Sequence, residues 1–165
     1  MSVCSPRFAI SPRPEGCTFA EIPRAERTER EQPAGKENEM TLREIADLLD
    51  ARVLVGENHL DIEVQTAFAA DLMSDVLAFA KPGSIMITGL TNPQIVRIAS
   101  IVDNSAILLV RGKIPPEDTL HLAEELEIPV LSTRYILFET SGRLYANGIV
   151  GCVRKIEGPE SVVPL

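Results

Sequence analysis

Apolar positions in the second half of the chain fall in short, unbroken runs, each ending in a small or basic polar cluster. The runs are Ile85-Met86-Ile87-Thr88-Gly89, Ala106-Ile107-Leu108-Leu109-Val110-Arg111-Gly112 and Pro129-Val130-Leu131-Ser132-Thr133-Arg134. Apolar stretches without polar alternation suit strands covered on both faces, the pattern of a parallel sheet between helices. Helical spacing follows each run. After the first, Asn92-Pro93 supplies an N-cap and a first-turn proline. Ile95, Ile98, Ala99 and Val102 then form an inner face, widened by Val96 and Ile101. That width predicts contact with more than one layer or with a second subunit. After the second run, Pro115-Pro116-Glu117 opens a helix with Leu122, Ala123 and Leu126 inward. A last helix is predicted from about Tyr135 to Asn147, with Leu137, Phe138, Leu144 and Tyr145 on one side and Gly148 at its end.

Upstream, Thr41-Leu42-Arg43-Glu44 reads as a capping box, followed by Leu42, Ile45, Ala46 and Leu49 on one helical face. Arg52–Val55 reads as a strand stopped by Gly56, and Val64–Ala69 as another. Asp71 or Ser74 is the expected cap of the next helix, which runs to Ala80 before the turn Lys81-Pro82-Gly83. Before Met40 the chain changes character. Pro6, Pro12, Pro14, Pro23 and Pro33 and the mixed charges of 24–31 leave few apolar anchors, so residues 1–39 are expected to be a disordered or weakly ordered extension. Residues 40–148 form the expected domain, and 149–165 a tail or one short strand.

The expected fold is α/β, a single three-layer-like domain whose mostly parallel sheet is flanked by helices. In such sheets the loops at the carboxyl ends of the strands gather along one edge, where ligands bind. Thr88, Thr91, Asn92, Arg111, Lys113, Ser132, Thr133 and Arg134 become neighbours there. Hydroxyls, an amide and three cations beside helix N-termini suit a carboxylate or phosphate. The same residues also suit capping of helices and pairing with nearby acids. Arg111 stands out, because a cation directly after a buried strand has little structural reason to be there.

Composition narrows the partners. The formal net charge is −8, aromatic residues make up 4% and tryptophan is absent, so neither the positive field nor the stacking platforms of a nucleic-acid binder are present. Cys4, Cys17 and Cys152 are scattered and stand apart from His59 and His121, which argues against a metal site or an iron–sulfur cluster. Cys152 has a redox reading, with Arg154 and Lys155 nearby, and a plainer one as a small apolar neighbour. No apolar run approaches the ~20 residues of a membrane span, and the first residues lack the apolar core of a signal peptide, so the expected location is cytoplasmic.

No catalytic pattern emerges. Gly112-Lys113 is followed by Ile114 and lacks the earlier glycine of a P-loop, and no G-x-G-x-x-G fingerprint occurs. His121 falls on the outer face of its helix and His59 in a polar turn, which leaves Ser132 without a base. No catalytic residue and no cofactor are expected.

Lys81-Pro82-Gly83-Ser84, then Gly112-Lys113-Ile114-Pro115-Pro116-Glu117 and Glu127-Ile128-Pro129-Val130-Leu131-Ser132-Thr133, resemble the DRTGG domain. More distantly, they resemble the amino-terminal domain of HPr kinase/phosphorylase. The likeness covers about residues 40–148. Where the family carries its Asp-Arg motif, this chain reads Thr88-Gly89-Leu90-Thr91-Asn92. The resemblance implies a non-catalytic α/β module, dimeric, of a kind found fused to CBS domains or phosphotransacetylases, or standing alone, in some cases encoded near iron hydrogenase subunits. Two functions fit. One is a regulatory homodimer sensing a small anionic metabolite or nucleotide. The other is an accessory or scaffold subunit, for example of a redox or hydrogenase-type complex, that binds a partner protein and no small ligand.

Overall fold

Residues 39–153 are described in the computed structural model of the chain. The capping box forms as expected. The Glu44 carboxylate accepts the Thr41 amide at 2.8 Å, and the Thr41 hydroxyl accepts the Glu44 amide at 3.3 Å, which starts helix α1 (Leu42–Leu48). A short strand β1 (Met40–Thr41) before it pairs antiparallel with β3 (Glu63–Val64). The main sheet contains β2 (Arg52–Val55), β4 (Thr66–Ala69), β5 (Ile85–Thr88), β6 (Ala106–Leu109), β7 (Val130–Ser132) and β8 (Val150–Gly151). Its spatial order is β2-β7-β6-β5-β4-β8. All pairs are parallel except β2 with β7, which place Arg52 opposite Ser132.

The order dictates the layers. The chain steps from β4 to β7 in one direction through α2 (Met73–Phe79), α3 (Pro93–Ile101) and α4 (Glu117–Glu125). Right-handed crossovers in one direction put those three helices on one face. The return from β7 to β8 runs the other way through α5 (Leu137–Ala146), which therefore joins α1 on the opposite face. The side chains divide accordingly. Met86, Ile107, Leu109 and Val130 pack with Val76, Ile95, Ala99 and Ala123. Ile85, Ile87, Leu108 and Leu131 pack with Leu42, Ile45, Leu49 and Leu144. Alternate residues of each apolar run thus serve opposite layers, each buried side chain contributing about 1.5–3 kcal/mol of transfer free energy. The fold is the expected three-layer α/β arrangement.

Several local expectations change. The stretch Val64–Ala69 divides at Gln65, and its two halves pair in different sheets. Leu72 occupies the N-cap of α2, so neither Asp71 nor Ser74 caps it. Asn92 is the N-cap of α3 but makes no side-chain capping bond. Part of the broad stripe of α3 packs within the chain, because α3 lies against both α2 and α4 and Val96 is buried. Ile101, on its last turn, stays 72% exposed. Leu126, Phe138 and Tyr145 are exposed rather than inward; in α4 Ala123 is buried as expected, and Thr119 joins it in place of Leu126. The expected extension falls on residues outside the described range, apart from Glu39. So do Arg154 and Lys155, and with them the redox reading of Cys152, whose thiol is buried 3.8 Å from the Phe79 carbonyl. Among the described residues no helix is long and apolar enough to cross a membrane.

Candidate functional site

Because β4, β5, β6 and β7 run parallel, their carboxyl ends share one edge of the sheet, and β2, running the other way, begins there. The residues delivered to that edge are Asp71 after β4, Thr88-Gly89 at the end of β5, Arg111-Gly112-Lys113 after β6, Ser132-Thr133-Arg134 at the end of β7, and Arg52 at the start of β2.

The turn after β6 is tightly held. Arg111 and Gly112 both adopt left-handed backbone conformations, φ +67° and +64°. At a non-glycine residue this costs about 1–2 kcal/mol. Two hydrogen bonds offset it: the Arg111 amide donates to the Tyr135 carbonyl at 2.9 Å and the Gly112 amide to the Thr133 carbonyl at 2.7 Å. The β6 turn is therefore bolted to the loop after β7.

Held in this way, Arg111 reaches back toward β5 and β4. Its guanidinium lies 3.5 Å from the Asp71 carboxylate. Asp71 also accepts the Gly89 amide at 2.6 Å and the Thr88 hydroxyl at 2.9 Å. These contacts hold its carboxyl below the usual range. The Gly89 amide is the largest cause, with smaller help from Thr88, Arg111 and Lys113 against a desolvation that acts the other way. Lys113 donates its ammonium to the Gly89 carbonyl. The protein's own carboxylate thus takes the amide, hydroxyl and guanidinium that a bound anion would use, and Arg111 has a structural reason for its place after the strand.

The other predicted residues separate. Thr133 is fully buried. Its hydroxyl donates to the Leu49 carbonyl at 2.7 Å and accepts the Tyr135 amide at 3.3 Å, a link between the sheet and α1. The Ser132 hydroxyl donates to the Lys113 carbonyl at 2.7 Å. Thr91 offers its backbone carbonyl to Thr119 at 3.2 Å, and Asn92 is exposed at the start of α3. Arg134 is exposed and makes no ion pair with Asp71. It lines a cleft of about 310 Å³ with Asp50, Arg52, Leu54, Gly112, Ile114 and Ser132. Among the described residues neither Arg52 nor Arg134 forms an ion pair.

Asp71 and Arg52 are the edge residues that the sequence reasoning missed. For Asp71 a signal existed, an acid just beyond a strand that parallels Thr88. For Arg52 it did not, since only the antiparallel direction of β2 brings its first residue to this edge. His59 sits with Gly56 at the opposite edge, by Pro129, and His121 is exposed beside Glu124. Among the described residues no three His, Cys, Asp or Glu side chains cluster to hold a metal.

Residues 44–146, well over half of the chain, match the family model of the DRTGG domain. The chain belongs to the DRTGG family. This DRTGG chain is also similar in structure to the CBS and DRTGG domains of the regulatory region of Clostridium perfringens pyrophosphatase, solved in complex with its activator, diadenosine tetraphosphate. The likeness has a TM-score of 0.53 and 20% identity, and covers 64% of this chain and 46% of that one. The DRTGG chain therefore spans less than half of the structure that it resembles. No curated protein matches it.

Proposed function

We propose that this DRTGG chain is a non-catalytic regulatory module that senses a small anionic metabolite or nucleotide. The observation that carries this reading is the placing of two cations, Arg52 and Arg134, on the carboxyl-end edge of the sheet in a chain of net charge −8. Neither has an acidic partner among the described residues, whereas Arg111 and Lys113 beside them are already engaged by Asp71 and the Gly89 carbonyl. Cations concentrated on one edge against an acidic background direct an anion to that edge. The pyrophosphatase whose regulatory region includes a DRTGG domain responds to a nucleotide activator, and the shared fold makes the same class of ligand the first to try. Self-association into a homodimer belongs to the same reading.

The test is a thermal-shift screen of the full chain against nucleotides and phosphorylated metabolites. At least one is expected to raise the melting temperature. Light scattering at micromolar concentration is expected to give twice the mass of one chain, and a single-chain mass would remove the dimer. A second reading, an accessory subunit docking on a partner protein, is favoured by Ile136 and Phe138, 59% and 84% exposed where α5 begins. A flat ligand screen together with a stoichiometric co-purifying protein would select it.

A further inference from the structure

We infer that the ligand seat is the cleft between the start of β2 and the end of β7, with Arg52 and Arg134 as its anion-binding groups, and that it takes a phosphorylated nucleoside. This rests on the sensing function proposed above and locates it away from the most conspicuous cation. Arg111 is spoken for: Asp71 faces it at 3.5 Å and also accepts the Gly89 amide and the Thr88 hydroxyl. An anion arriving there would have to displace a carboxylate already served by three donors. Arg52 and Arg134 have no such partner among the described residues.

The antiparallel pairing of β2 with β7 sets Arg52 opposite Ser132, two residues before Arg134, so both guanidinium groups belong to one end of one strand pair. Gly112 forms part of the wall, and a Cβ there would meet the Arg134 side chain at 3.7 Å. Planar guanidinium groups with free donors favour phosphate oxygens, which they bind in bidentate fashion. The remaining lining selects among phosphates. Leu54 and the 59% exposed Ile114 give an apolar wall for a ring, and Asp50 can accept from a hydroxyl or amino group while repelling a bare anion. A volume of about 310 Å³ lies at the lower end of small-molecule sites, which begin near ~300 Å³. The apolar cavity of about 260 Å³ under α5, lined by residues such as Phe68, Leu144 and Tyr145, includes no charged residue in its described lining.

Calorimetry of the full chain with AMP, ATP, adenosine and inorganic phosphate tests the inference. AMP or ATP is expected to bind, adenosine and phosphate alone much more weakly. Arg52→Gln and Arg134→Gln are each expected to weaken binding about tenfold or more, whereas Arg111→Gln changes it less than about twofold. Both cleft arginines are exposed, so their variants should melt with the wild type, and circular dichroism verifies that. If AMP or ATP binds the wild type and both cleft variants equally, the cleft is wrong and the sensing function stands. Loss of binding in Arg111→Gln alone moves the seat to the Asp71 cluster. If neither nucleotide binds the wild type, the cleft is overturned; the broader screen then decides the sensing reading by itself.

Discussion

The guanidinium of Arg111 fills the space where a side chain on residue 89 would begin: a Cβ built on Gly89 would lie 1.7 Å from Nη2. Gly89 has no positive φ, so alanine suits its backbone and the conflict is with a flexible side-chain end alone. Gly89→Ala should therefore fold, swing Arg111 aside and break its contact with Asp71. The expected stability loss is under about 1 kcal/mol, the scale of a half-exposed ion pair, measured by urea denaturation beside Arg111→Ala.

Asp71 should make part of the stability acid-sensitive. Its carboxyl is held below the usual range by the Gly89 amide first of all. A group with a depressed folded-state pKa contributes stability that is complete above its unfolded value, near ~3.9, and is lost as pH falls through the folded one. Asp71→Asn should lower stability at pH 7 by about 1 kcal/mol, the scale of one hydrogen bond to a charged group at a half-exposed site. The difference from wild type should shrink below about pH 4. Denaturation midpoints at several pH values between neutral and 3 check this; parallel curves throughout would exclude it.

Thr133 is the buried joint between β7 and α1. Replacing it with valine keeps its shape but leaves the Leu49 carbonyl and the Tyr135 amide without their partner. The expected cost is about 1–3 kcal/mol, read from equilibrium unfolding. Thr133→Ser, which retains the hydroxyl, should lose less.

Gly56 turns at φ +86° with Pro129 against it, and a Cβ there would stand 2.9 Å from the Pro129 Cα. The neighbour is backbone and cannot step aside. Gly56→Ala combines a left-handed penalty with overpacking and should cost about 2 kcal/mol or more. An alanine at Gly142, where nothing lies within 4 Å, serves as the control and should leave stability unchanged or slightly higher.

The inner strands were legible because unbroken runs such as Ile107-Leu108-Leu109 leave no solvent face. Asp71 was misread because a carboxylate ahead of a helix looks like a cap, and only the neighbouring strand shows that its donors are Gly89 and Thr88. The outward Phe138 was misread because helical periodicity defines a stripe but not how far a ten-residue helix overlaps its sheet. Arg111 stands out by its position after a buried strand, whereas its partner, Asp71, sits forty residues earlier. Arg52 could not be found at all, since periodicity says nothing about strand direction.

The six-stranded sheet also carries an order of assembly. From β4 to β7 each new strand lies beside the one just made, whereas the two borders join remote stretches, Arg52 with Ser132 and Thr66 with Val150. Closing long loops is slow because chain entropy is lost before contacts form. The middle of the sheet should protect its amides first in pulse-labelled exchange, and the Arg52 border, with the cleft it completes, should be among the last parts to mature.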